Sequence, residues 1–315
     1  MPKTYDIIQI TDCHDTNKEG GLLAASKVEL AYSALVENAD LPTRLIKVVP
    51  AEEFNTIDVG AKFSELVTSS LNPARLIVAI NAAPPSLQNG GKTGNDRKNF
   101  VLGKLKNGVI FGGTWGGHCL SYVKSQIAEV YELLDSNNGS QFRSLEVLPE
   151  ALVAYAAGTI DPRRLGPAID VANEVPNIPD QSHAWTIDNF RNVKLIVSDA
   201  DKRRLSDVFA QYSAAKQAGQ AAERPKVEFT FGDQSVEFGV HDRPTTAFAT
   251  AALDERMFRG ETGSNIFTLT SSARRWNDQG ETVDVQQIAT LRDQPHLPLG
   301  FQLPKIGAPL HIRVA

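Results

Sequence analysis

The residues able to do chemistry gather at a few positions that follow apolar runs. Thr11-Asp12 ends the run YDIIQI, and Cys13-His14 comes directly after it. A carboxylate at the tip of a strand can accept hydrogen bonds from two neighbouring hydroxyls, as a ribose diol presents them. The same Asp would equally cap a helix or order a loop. His118-Cys119 is a second imidazole–thiol pair. Two thiols and two imidazoles can form a tetrahedral zinc site, but neither pair has the short intervening spacing of such ligands. A small buried Cys beside a polar His is the plainer reading, and no metal site is expected. Asp12, His14 and Asp15 together would be the ligands if the chain were instead a metal-dependent hydrolase.

The glycine-rich stretch FGGTWGGHC (111–119) fits neither the dinucleotide nor the P-loop fingerprint. It suits a tight turn that lets the backbone approach a ligand, or a purely structural turn. The polar stretch 82–96 (AAPPSLQNGGKTGND) is long enough for a lid or a surface excursion, and Arg97-Lys98 at its end would orient an anionic group. There is no GxSxG nucleophile elbow, and paired carboxylates for glycosidic chemistry have no local signature.

These residues need elements to position them. Branched apolar runs at 5–10, 45–49 and 76–80 read as buried strands, with further strands at 99–105 and 108–112. Apolar residues at steps of three and four predict helices over 19–38, 58–71 and 119–134, the last from Leu120, Val123, Ile127, Val130 and Leu134. Strands separated by amphipathic helices predict an α/β domain with a mainly parallel central sheet, and ligands of such sheets collect outside the strand ends. The proline-containing stretch VANEVPNIPDQS reads as a linker. Beyond it, VEFTFGDQSVEFGV alternates around Gly232-Asp233, a hairpin signal, and NIFTLTSS and PLHIRVA read as strands. The division expected is therefore 1–171 as the α/β ligand-binding domain and 172–184 as linker. A smaller, mainly-β domain, barrel or sandwich, follows over 185–315, with a helical insertion near 199–222.

The 315 residues carry 32 basic and 37 acidic side chains, a net charge of −5, and 42% are hydrophobic. That is the composition of a globular chain of about two domains, not a disordered one. Without a basic stretch it is a poor binder of a phosphate backbone, so no nucleic acid is expected. No apolar run approaches the roughly 20 residues that cross a bilayer, so no membrane partner is expected either. Two cysteines and no signal-like start point to the cytoplasm. A small-molecule enzyme is the favoured class.

Several segments, in order along the chain, resemble the S-adenosylmethionine-dependent fluorinases, chlorinases and hydroxide adenosyltransferases. IIQITDCHD resembles that family's opening strand, ending in Ser/Thr-Asp, and RLIVAINAAPP its third strand and proline-containing loop. FRSLEVLPEALVAYAAG (142–158) resembles a halogenase helix, TIDNFRNVKLIVS (186–198) the start of the second domain, and NIFTLTSSARR a late strand. The resemblance implies an N-terminal α/β domain and a C-terminal β domain, assembled as a homotrimer with active sites at subunit interfaces. It implies displacement at the 5′-carbon of S-adenosylmethionine by water or halide, releasing L-methionine, with no cofactor beyond that substrate.

On the same match Asp12 holds the ribose hydroxyls and Ser144 contacts the nucleophile. Asp188 and Asn192 hold the methionine moiety, and Ser272 borders adenine. Phe54-Asn55 lies where the family has a Trp. Of the water-activating Asp, Arg and His, Arg97 matches the Arg. The Asp position falls on Asn81 or Ala82, and the His position on Arg143. A relative that binds nucleoside or S-adenosylmethionine without turning it over is the alternative these departures leave.

Overall fold

The apolar run at the start of the chain forms β1 (Tyr5–Thr11), and the first helical pattern forms α1 (Glu19–Asn38). They are followed by β2 (Thr43–Pro50), α2 (Thr56–Ser69) and β3 (Leu76–Asn81). Next come β4 (Phe100–Leu105), β5 (Ile110–Gly113), β6 (Ile127–Leu133), α3 (Arg143–Glu146), α4 (Leu148–Ala157), β7 (Leu165–Ala168) and α5 (Val171–Glu174). The computed structural model describes residues 4–12, 19–82, 99–136, 143–187, 193–198, 226–241, 250–253, 266–270 and 306–314, with scattered positions between 200 and 219. By contacts the chain divides into two units, Met1–Ile178 and Pro179–Ala315. The boundary falls inside the stretch 172–184 read as a linker, whose first residues form most of α5.

The first unit is built on a seven-stranded sheet in the order β2-β1-β3-β5-β4-β6-β7. Its first half is parallel, β1 pairing with β2 and β3, and β3 with β5. The second half is antiparallel, through β4 with β5 and β6, and β6 with β7. The sheet is thus mixed, which corrects the expectation of a mainly parallel one. The link from β4 to β5 is a short turn at Gly108, with φ +93°, and so short a link joins antiparallel neighbours only.

A second correction concerns 119–134. That stretch is a 3-10 segment (Ser121–Gln126) followed by strand β6. Ile127, Val130 and Leu133 are the buried residues of β6, a spacing of three that imitates a helix. The register shifts where β6 pairs with β4 and β7, and such irregularities break the two-residue alternation of a strand.

Both faces of the sheet are covered. Val59, Phe63 and Val67 of α2 pack on one face against Ile10, Val78, Ile80 and Phe111. Val28 and Tyr32 of α1, with Leu148 and Leu152 of α4, pack on the other against Ile7, Ile77 and Leu102. β3 is buried along its whole length, as a central strand covered on both sides must be. The end of the unit is tied down by one ammonium group. Lys124 Nζ donates to the Ala172 carbonyl (3.0 Å), the Val175 carbonyl (2.6 Å) and Asn177 Oδ1 (2.9 Å).

The second unit carries β8 (His183–Ile187), β9 (Val193–Ile196), β10 (Lys226–Phe231), β11 (Gln234–His241), β12 (Thr250–Leu253), β13 (Ile266–Thr270) and β14 (Leu310–Val314). They form one sheet in the order β14-β10-β11-β12-β13-β9-β8, antiparallel except for β11 with β12. β10 and β11 are the hairpin around Gly232-Asp233, and Gly232 has the positive φ, +62°, that its tight turn requires. The two ends of the strand order meet. Ala184 N–H donates to the Ala308 carbonyl, Gly307 N–H to that of Ala184, and Leu310 N–H to that of Ser182. The described residues between 200 and 215 are helical. Their start is fastened by Asp201, which accepts from Ser198 Oγ (3.0 Å), Ser182 Oγ (2.5 Å) and Arg204 (2.7 Å). No helix among the described residues is long and apolar enough to cross a membrane.

Candidate functional site

The chain goes from β1 over one face of the sheet through α1 to β2, then over the opposite face through α2 to β3 on the other side of β1. The strand order therefore reverses between β1 and β3. In open α/β sheets the crevice outside the carboxyl ends of such strands is where ligands bind. Here those ends are Thr11-Asp12 and Asn81-Ala82.

The edge is closely wired. Asp12 N–H donates to the Asn81 carbonyl (3.1 Å), and Asn81 Nδ2 donates to Thr11 Oγ1 (2.8 Å). Thr11, Asp12 and Asn81 are all buried. From the other flank, Ala51 N–H donates to the Thr11 carbonyl (2.8 Å), starting the turn that leads into α2. In that turn Phe54 has φ +58°, a left-handed conformation costly for an aromatic residue, and its N–H donates to Asp12 Oδ2 at 3.2 Å. Asn55 is the N-cap of α2, accepting from the amides of Ile57 and Asp58 at 3.1 Å each. Asp12, Phe54, Asn55 and Asn81 are thus brought together.

The glycine-rich stretch packs on the same edge. Gly113 ends β5 with φ +125°, and a Cβ there would lie 1.9 Å from the Ile80 carbonyl oxygen, so only glycine allows this approach. Thr114 N–H then donates to the Ile80 carbonyl (2.8 Å), and Ala82 N–H to Thr114 Oγ1 (3.3 Å). Trp115 is buried, with its indole N–H on the Asn99 carbonyl (3.1 Å). His118 N–H donates to Thr56 Oγ1 (3.0 Å), joining the loop to the first turn of α2. The His118 ring contacts Ser121 Oγ at 3.1 Å, and desolvation holds its pKa below the ordinary value, partly offset by the backbone of Asn177. The Cys119 thiol is fully buried. Desolvation, and then the charge of Asp12, pushes its pKa up to about 12, which makes it a packing group and a neighbour of the carboxylate.

Ser144 lies in α3, half-buried, next to Arg143. Arg143 reaches the same sheet edge. Its guanidinium sits 4.7 Å over the Phe100 ring at the start of β4 and donates to the Ser136 carbonyl (3.1 Å). Arg97, Asp188, Asn192 and Ser272 lie outside the described residues, as do Cys13, His14 and Asp15. Among the described residues no group of three or more His, Cys, Asp or Glu is placed to hold a metal ion. Gly113 and Thr114 belong to the glycine-rich stretch read from the sequence as a turn, whereas Thr56 and Asp58 organise this edge without having been singled out as site residues. Asn55-x-x-Asp58 has the spacing of a helix-start motif, the one local signal that marks this turn.

A carboxylate fixed in this way at a strand-order reversal, flanked by amide and hydroxyl groups, is suited to accepting paired hydroxyls of a ligand. No protein-family model matches the chain, and no curated protein does. Its fold is similar to that of solved structures, among them the following two. One is described as an uncharacterized conserved protein from Thermotoga maritima, with TM-score 0.55 and 16% identity, covering 97% of this chain and 100% of that one. The other is a conserved hypothetical protein from Thermus thermophilus, with TM-score 0.51 and 14% identity, covering 98% and 100%. At these identities the likeness is one of fold.

Proposed function

We propose that this chain binds S-adenosylmethionine and transfers its adenosyl group to a small nucleophile, water first and halide as the other acceptor. The observation that carries the reading is the buried Asp12 carboxylate, held by the Phe54 amide at the carboxyl end of β1, where the strand order reverses. Resemblance in sequence to the adenosyl-transferring family adds the identity of the ligand. In this reading Asp12 grips the ribose diol, with Asn81, Phe54 and Asn55 lining the nucleoside. Asp188 and Asn192 hold the methionine moiety, and Ser272 borders adenine.

The reaction asks little covalent help of the protein. The nucleophile forms a bond to the 5′-carbon as the bond from that carbon to the sulfonium breaks, and the electron pair leaves with the sulfur of L-methionine. With water the attacking oxygen then gives up a proton. The protein's work is to align the nucleophile and limit its hydration, with Ser144 and Arg97 as the groups that contact it. A cytoplasmic homotrimer with sites at subunit interfaces belongs to the same proposal.

Purified protein is incubated with S-adenosylmethionine, with and without chloride, and the nucleosides are separated. Adenosine or a 5′-chloronucleoside is the expected product, and Asp12→Ala should lower binding at least about tenfold, as loss of charged hydrogen bonds does. Formation of neither product removes the catalytic claim. Tight binding without turnover would then favour the binding-only reading, for which Arg143 speaks. It stands where a His is expected and is engaged with Phe100 and Ser136.

A further inference from the structure

The turn between β2 and α2 carries a buried charge that the reading above does not use. Asp58, in the first turn of α2, is fully buried. Its Oδ2 accepts from Glu52 N–H at 2.8 Å and from Lys62 Nζ. In an ordinary capping box an acidic residue three after the N-cap reaches back to the N-cap amide. Here the N-cap amide of Asn55 donates to the Glu52 carbonyl (3.2 Å) instead, and Asp58 reaches three residues further back. Asn55 Nδ2 also donates to Glu52 Oε2 (2.7 Å), so Glu52 is held at its amide, its carbonyl and its side chain. A buried carboxylate paired with one lysine adds little net stability, so position is what this arrangement supplies.

We propose that Asp58 is a positioning residue for the site, acting through the Glu52 amide. It fixes the turn from Ala51 to Asn55 so that Phe54, against its own backbone preference, aims its N–H at Asp12. The start of the turn is pinned to β1 by the Ala51–Thr11 bond, and the next residue, Glu52, is tied across the turn to Asp58 in the first turn of α2. Inside the loop closed by the Glu52–Asp58 bond, Phe54 keeps φ +58°, a conformation that persists only where the surroundings over-determine it. The carboxylate of Asp12 is thereby held with one oxygen on the Phe54 amide before any ligand arrives. The inference rests on Asp12 being the ligand-gripping group, and it adds the residue that sets Asp12's orientation.

The test compares wild type, Asp58→Ala and Asp58→Asn by two measurements. One is the amide proton resonance of Phe54 in ligand-free protein, and the other is calorimetric affinity for S-adenosylmethionine. Asp58→Ala should move the Phe54 resonance upfield and weaken binding about tenfold, the order expected when one hydrogen bond to a charged group is lost. Asp58→Asn keeps an acceptor for Glu52 N–H and should restore most of both. If the charge served only the ion pair with Lys62, Asn would be as damaging as Ala, and that result overturns the inference. An unmoved Phe54 resonance, or unchanged affinity, in Asp58→Ala overturns it as well.

Failure of wild type to bind S-adenosylmethionine would sink the ligand assignment instead, and the Phe54 resonance would still report on the linkage. Should Asp58→Ala not fold, hydrogen exchange of the wild type decides. The Glu52 and Phe54 amides should share one opening free energy, with protection factors within about tenfold, and a larger separation overturns the proposal.

Discussion

The side-chain amide of Asn81 donates to the hydroxyl of Thr11 at 2.8 Å, joining the last residues of two neighbouring parallel strands that lie 70 residues apart in sequence. The bond sits at the reversal of strand order, one residue from Asp12. It keeps the tips of β1 and β3 at a fixed separation, the condition for a carboxylate between them to meet a ligand in one geometry.

That bond is measurable by a double-mutant cycle. Thr11→Val and Asn81→Leu should each cost about 1–2 kcal/mol in denaturant unfolding, and the pair should cost clearly less than the sum. Full additivity would mean that the two side chains do not act together.

At Gly113 the constraint is steric and conformational at once, because of the φ of +125° and the nearby Ile80 carbonyl. Gly113→Ala should destabilise the protein by at least about 3 kcal/mol. Gly158→Ala is the control. Its φ of +72° is also positive, but no heavy atom beyond its adjoining residues lies within 4 Å of an added Cβ, so its cost should be about 1 kcal/mol.

His118 gives a pH dependence of known sign. Its pKa in the folded protein is held below the ordinary 6.5, chiefly by desolvation. The unfolded chain therefore binds the proton more readily, and stability falls as pH drops through about 6.5 and below. Melting temperatures recorded from about pH 7.5 to 5.5 should decline more steeply for wild type than for His118→Gln, which does not titrate there. Equal slopes would remove His118 from the account.

Cys119 should resist alkylation by iodoacetamide in the native protein at about pH 8, where a thiol with its pKa near 12 offers almost no thiolate. Peptide mapping should find it modified only after denaturation. Modification under native conditions would mean that the loop from Thr114 to Leu120 opens.

Much of the first unit can be read from the sequence, because β1, β2 and β3 are apolar runs and α1 and α2 carry regular apolar steps. Residues 119–134 mislead for a physical reason. The irregular pairing of β6 sets its buried residues three apart, and the pattern of Leu120, Val123, Ile127 and Val130 then matches a helix. The antiparallel half was legible in principle, since the few residues between the fourth and fifth strands cannot cross over a sheet. For the site, Asp12 was visible from its place after an apolar run. Asp58 was not, because its partners Glu52 and Lys62 are close in sequence while its effect falls on Asp12, 46 positions earlier (58 − 12). For Thr114 the stretch was visible but its partners were not, since Ile80 lies in β3 and Ala82 just after it, at least 32 residues earlier in the chain.

The division of the first sheet into a parallel and an antiparallel half also bears on how it assembles. β4 and β5 are sequence neighbours that can zip early, whereas β1 must wait for partners far along the chain, with loop-closure entropy opposing each pairing. The hairpin then offers the exposed edge of β5 as a template for β3. Stopped-flow measurements should show Leu102→Ala slowing folding, and Ile7→Val chiefly speeding unfolding. The tip of β1 that carries Asp12 would accordingly be among the last parts of the unit to take shape.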